Sequence, residues 1–296
     1  MDANELASRL YNPMNQLCSS SAAAGDDFGA LWGCFGVGLL TNLTICFIVY
    51  FISEPILLLF FGGFYEKVKQ DRPHAAQTLQ IEIVALVNAT ICFNIVFFEA
   101  YLLHTIAQTT PTVAFSLPGR SSLWLATGCL IGYMIWHFGM LLYHQEKMKK
   151  VLGQNMYYVT FVHHLGSIFF FPVSLRTSLG CYFVSMFVMS EATSVPLAFR
   201  TFGLRMGKPF TSSLWFQLAN LSWLTVWIVV RIVPMPSMLH TLSQSDWSEL
   251  DPISYTLSWL IYVPLVLNTW WSYLIVKGLY KQLCGGGNGK KSKKLK

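Results

Sequence analysis

The chain has 296 residues, of which 54% are hydrophobic, 15% aromatic and only 11% charged, with mean hydropathy +0.48. A soluble domain carries about a quarter charged residues, so a surface facing water all round is excluded and lipid must cover much of the chain. The net charge of +6 resides largely in a terminal run, Lys290, Lys291, Lys293, Lys294 and Lys296, which suits the surface of a membrane and gives no reason to expect nucleic acid.

Residues 1–28 are mixed and polar and lack the basic-then-apolar pattern of a cleavable signal. The first apolar run, 29–61, exceeds the ~20 residues a helix needs to cross a bilayer, which predicts a tilt or a break near Pro55. Further runs follow at about 79–104, 123–144, 157–177, 179–200, 214–234 and 255–280, bounded by polar, Gly or Pro residues. The expected fold is therefore an all-α multi-pass membrane protein with seven transmembrane helices. The seven cysteines form no Cys-x-x-Cys pair. Cys129 and Cys181, near the same face, are the one candidate pair for a disulfide.

Loop charge sets an orientation. The first, third and fifth loops carry Lys67, Lys69 and Arg72; Lys147, Lys149 and Lys150; and Arg205 and Lys208. The second and fourth hold only Arg120 and Arg176, and the sixth no Lys or Arg. This alternation predicts a lumenal N-terminal segment (1–28), cytosolic odd-numbered loops and a cytosolic basic tail (281–296). The tail ends Lys293-Lys294-Leu295-Lys296. That ending is similar to the di-lysine retrieval signal of endoplasmic-reticulum membrane proteins, which implies residence there and the retrieval machinery as a partner. Three sequons, at Asn42, Asn88 and Asn220, lie inside predicted spans and are expected to be unglycosylated.

An ionisable side chain at mid-membrane costs about 2.5–3.5 kcal/mol on insertion scales, so each needs a partner or a cavity. By depth, His137, His163, His164, Glu191 and Asn268 converge in one cavity open toward the cytosol. Glu99 and Arg231 are placed near the lumenal ends, where Arg231 can snorkel. Adjacent histidines point about 100° apart on a helix, so one of His163 and His164 faces the cavity while the other bonds a neighbouring helix. A His beside a carboxylate is an acid/base pair, and it is equally a structural pair that holds a bundle together. There is no His-Glu-x-x-His and no Gly-x-Ser-x-Gly, so neither a metal site nor a serine nucleophile is expected.

His163-His164, the segment Ser190-Glu191-Ala192-Thr193-Ser194-Val195-Pro196 with Arg200 after it, Val230-Arg231-Ile232, and Asn268 with Trp270-Trp271 occur in this order within 75–280. That ordered set resembles the TLC domain shared by ceramide synthases and smaller endoplasmic-reticulum proteins, nearest the small members without the ceramide-synthase signature. The resemblance implies that the last six helices form a barrel around a lipid-sized cavity faced by the His pair. It implies a role in lipid binding, lipid metabolism or membrane lipid homeostasis, with His137, Arg200, Arg231 and Asn268 as ligand-binding candidates. Ceramide synthases carry two aspartates in the helix after the His pair; this chain offers Glu191 alone. Three readings follow. The first is a lipid-binding or lipid-regulating protein without cofactor. The second is a lipid acyltransferase using acyl-CoA, with His163 or His164 as base and Glu191 in support. The third is a cargo receptor of the early secretory pathway, engaging partners through the 235–254 loop.

Overall fold

The structure, a computed structural model, describes residues 27–177, 180–207, 210–248 and 250–284. The expected lumenal N-terminal segment, except its last two residues, and the Lys293-Lys294 ending lie outside the described residues. Among those described there is no strand, and seven helices are long and apolar enough to cross a membrane. They are Phe28–Asp71, Pro73–Thr109, Ser121–Tyr143, Gln154–Thr177, Cys181–Met206, Leu214–Ser243 and Pro252–Gly278. Their outer faces carry side chains that only lipid can cover, such as Leu59 at 79%, Phe98 at 73% and Trp215 at 80% exposure. The chain is an all-α multi-pass membrane protein.

Local sequence explains where spans begin and bend. Pro73 and Pro252 open the second and seventh spans, where the missing N–H costs nothing. The first span does not break at Pro55, which lies inside continuous helix. It breaks at Gly62, whose φ of 41° and ψ of −126° are open to glycine alone. Lys69 Nζ then reaches Glu54 Oε1 at 2.5 Å, whereas a straight helix would hold the two residues roughly 22 Å apart. The last turns thus fold back and bury Tyr65 and Val68 with Leu57, Leu79 and Met206 in a second, smaller core.

The second to seventh spans close a ring. The second packs on the third, the third on the fourth, the fourth on the seventh, and the fifth on both the sixth and the second. Side chains join the sixth to the seventh, with Trp227 Nε1 donating to Ser272 Oγ at 3.1 Å. Inside this ring sits the main core, including Leu130, Met134, Phe170, Phe171, Phe183 and Phe187.

The first span lies outside the ring, pressed on the third. A Cβ at Gly128 or Gly132 would fall well inside van der Waals contact distance of the carbonyl oxygen of Phe35 or Leu39, and one at Gly38 well inside contact distance of that of Leu125. These glycines, four residues apart on the third span, let the two backbones meet. Asn42 secures the contact, its Nδ2 donating to Asn88 Oδ1 at 2.8 Å and to the Cys129 carbonyl at 2.6 Å. Two of the three sequon asparagines are thus spent on helix packing.

The loops segregate by charge. Gln77 Nε2 lies 2.6 Å from His144 Nε2, tying the first turns of the second span to the third loop on one face, called here the basic face. On the opposite face the Gly180 N–H donates to the Phe115 carbonyl at 2.9 Å, and Phe115 packs on Trp247 at 4.9 Å. Glu99, buried on that face, accepts from the N–H groups of Arg120 (2.8 Å) and Leu123 (3.0 Å) and from Ser122 Oγ. A carboxylate at the start of the third span satisfies donors that a helix leaves open. The candidate disulfide is not formed, because Cys129 lies about two turns inside the third span, against the first, while Cys181 opens the fifth; both are free thiols.

Candidate functional site

Two helices lose their α-geometry at the same place. The fifth span tightens to a 3-10 turn over Ser190–Thr193, between Cys181–Met189 and Ser194–Met206. The sixth widens to a π turn over Ile228–Ile232, where the Val233 N–H reaches back to the Ile228 carbonyl at 2.9 Å. Single π turns and mid-helix 3-10 turns gather at functional sites because they re-aim side chains and free backbone groups. The first of these turns carries Glu191 and the second Arg231.

Arg231 stands at the centre. Its Nη1 donates to Asn268 Oδ1 at 2.6 Å, its Nη2 to the Ser190 carbonyl at 3.1 Å and its Nε to Thr193 Oγ1 at 3.1 Å. The guanidinium also lies 4.6 Å from the Trp227 ring centre. One side chain thereby joins the fifth, sixth and seventh spans. The expected lumenal-end position of Arg231 is corrected: Pro234 does not end the sixth span, since the π turn absorbs it and the helix resumes over Met235–Ser243. Arg231 lies near mid-span and does not snorkel.

Beside it is a cavity of about 10 Å³ lined by His163, Glu191, Arg231 and Asn268, with Leu130, Met134, Phe171, Phe187 and Trp271 among its apolar walls. With Ser190 beside Glu191, the polar lining residues come from four spans. The volume holds about one water molecule, so this cavity is far smaller than the lipid-sized space implied by the resemblance. Glu191 accepts from Ser194 Oγ at 3.2 Å and, among the described residues, forms no ion pair with Arg231.

The histidines divide. His163 lines the cavity against the edge of Trp271 at 5.7 Å, and its Nδ1 is buried without a hydrogen-bond partner among the described residues. His164 is buried, its Nε2 lying 2.6 Å from His137 Nδ1. His137 in turn stacks on Tyr133 at 5.5 Å. The His137–His164 pair thus joins the third and fourth spans next to the cavity instead of lining it. Arg200 is not brought to the site. Its Nε donates to Asn220 Oδ1 at 2.7 Å and its guanidinium covers Trp223 at 5.2 Å, so it joins the fifth and sixth spans. Among the described residues, no three His, Cys, Asp or Glu groups are placed to hold a metal ion.

Ser190 and Thr193, which seat the guanidinium, had a faint sequence signal in the short polar run Ser190-Glu191-Ala192-Thr193-Ser194 within an apolar span. The irregular turns themselves had none.

The TLC-domain family profile matches residues 75–277. Neither a search of curated proteins nor one of solved structures returned a match. The match takes in the whole ring and each residue of the buried cluster, and leaves the first span outside. The chain belongs to the TLC-domain family.

Proposed function

We propose that this protein handles the polar end of a membrane lipid at the buried cluster of His163, Glu191, Arg231 and Asn268, and so acts in lipid binding or membrane lipid homeostasis. One observation carries the reading: four spans each contribute a hydrogen-bonding or ionisable side chain to a single cavity in the interior of the bundle. Such groups are expensive in lipid and persist where they meet a ligand or one another. A phosphate or carboxylate oxygen from a lipid competes with Asn268 for the guanidinium fork of Arg231, which is shaped for such oxyanions. The sixth and seventh spans must part for it to enter. The test is lipid analysis of the full chain purified from cells, wild type against Arg231→Gln. Selective loss of one lipid class from the variant supports the reading, and an unchanged lipid complement removes it.

His163 lines the cavity, and its Nδ1, like that of His164, has no hydrogen-bond partner among the described residues, which favours a second reading, acyl transfer. There His163 takes the proton from an attacking hydroxyl or amine, which displaces the thiol of acyl-CoA from the acyl carbon, and Glu191 steadies the charged imidazole. His164, already bonded to His137, serves as support. Purified protein with acyl-CoA and membrane lipid then shows turnover that His163→Ala abolishes; equal turnover in the variant rejects it.

For location we propose the endoplasmic-reticulum membrane, with the N-terminus lumenal and the basic face cytosolic. The segregation of Lys and Arg between the two faces and the Lys293-Lys294 ending support this reading.

A further inference from the structure

A second cavity, of about 120 Å³, opens at the start of the seventh span on the face opposite the basic one. It is lined by Trp247, Tyr255, Ser258, Trp259 and Tyr262. Four of the five residues that wall it are aromatic. Tyr255, Ser258, Trp259 and Tyr262 recur at helical spacing along one side of the span, and Trp247 closes the box from the preceding loop, held there by Phe115.

The rings are arranged as walls. Tyr255 and Trp259 stand almost perpendicular, at 82° with centres 6.3 Å apart, while Trp259 and Tyr262 lie nearly parallel at 26°. An interfacial Trp or Tyr by itself anchors a helix to the headgroup layer. Four beside one hollow, with Tyr255 and Trp259 set nearly at right angles, do something further: they offer an alkylated cation negative π-density on more than one side. Charge nearby agrees. Asp246 and Asp251 are exposed next to the box in sequence, and the 235–254 stretch has no Lys or Arg. Backbone and side-chain donors from Ser248 and Ser254 hold the two carboxyls below the usual carboxylate range, so both are anionic at neutral pH. Arg176 lies within electrostatic reach of Asp251 and supplies a cation on the same rim.

We infer that this aromatic box is a binding site for the trimethylammonium group of a choline-type lipid headgroup. The cation enters the box, and the adjoining phosphate faces the rim that carries Arg176. A trimethylammonium group cannot donate hydrogen bonds, which suits a box walled by rings, where the phenol hydroxyls of Tyr255 and Tyr262 are joined by one other hydroxyl, that of Ser258. That hydroxyl is itself engaged with the Ser254 carbonyl at 2.7 Å. A primary ammonium, by contrast, keeps its hydrogen bonds to water and gains less from ring faces. The position at a span's end puts the box at headgroup depth, which favours a lipid over a soluble amine. The site is separate from the Arg231 cluster and does not depend on it.

The experiment uses the full chain in nanodiscs of equal phosphatidylcholine and phosphatidylethanolamine, transferred to mild detergent, with retained lipid measured by native mass spectrometry. Preferential retention of phosphatidylcholine is expected. Trp259→Leu, which keeps the apolar bulk and removes the ring, should reduce the preference about two- to fivefold, the weight of a cation–π contact at an exposed site. Trp259→Phe should restore part of it, and Trp215→Leu, which removes an exposed ring at the far end of the sixth span, should leave it unchanged; the buried site is tested separately. Equal retention of the two lipids, or a preference unmoved by Trp259→Leu in a protein of unchanged melting temperature, overturns the assignment. Binding of soluble phosphocholine without any choice between the lipids also overturns the lipid assignment, in favour of a soluble amine.

Discussion

Arg231 and Asn268 show how a charge survives among helices. The guanidinium has three hydrogen bonds, and Asn268 supplies the shortest. Asn268→Leu removes an acceptor and leaves the charge in place, so it should destabilise by about 2 kcal/mol. Adding Arg231→Leu removes the stranded charge, and the double variant should melt above the single one in detergent, the sign of coupling that a double-mutant cycle reads. At the membrane edge, His144 contacts Gln77, and burial, followed by the nearby charge of Lys147, lowers its pKa below the ordinary 6.5. A lowered folded pKa means that protonation opposes folding. Stability from this contact is full above 6.5 and is lost as pH falls through the folded value. Melting temperature followed from pH 8 to 5 should therefore drop less in His144→Asn than in wild type. The effect is small because the ring is partly exposed. His163, Glu191 and Asn268 were legible from depth along apolar runs, since a polar residue in lipid announces itself. The partners were not: that His164 bonds His137, and that Arg200 caps a packing contact, depend on helix rotation, which depth does not report.

At the scale of the element, the seven helices follow from hydropathy, length and loop charge, quantities that survive without knowledge of packing. Their ends do not. Pro234 looked like a terminus because an unbroken α-helix rejects proline, but a π turn accommodates it. Pro55 looked like the break because glycine conformations are invisible in composition, and the chain turns at Gly62 instead. The contact between the first and third spans was hidden for a similar reason, since Gly128 and Gly132 matter through what they lack. Gly128→Val places a branched side chain against the Phe35 backbone and should cost about 3 kcal/mol. Cysteine cross-linking between the two spans, efficient in wild type, should fall sharply in that variant while the ring of six stays folded.

For the whole molecule, six spans within the family match close a ring, and a seventh helix outside it is fastened to the third span by glycines and Asn42. Replacing Lys293 and Lys294 by Ser should move a tagged protein from the endoplasmic reticulum to later compartments in fluorescence microscopy, and unchanged distribution would assign the tail no address. Family and ring could be anticipated from the order of soft motifs, while the small volume of the cavity could not, because it depends on how Phe171, Phe187 and Trp271 fill the interior. The two irregular turns have a wider consequence. The carbonyl of Ser190 on the tight turn receives Arg231 from the wide one, so each distortion supplies what the other lacks. Deleting one residue to straighten the π turn, or adding one to relax the 3-10 turn, would strand the counterpart, whereas losing both together would not. Over evolutionary time these two anomalies should be inherited or discarded as a single character, and lineages that keep only one should be absent.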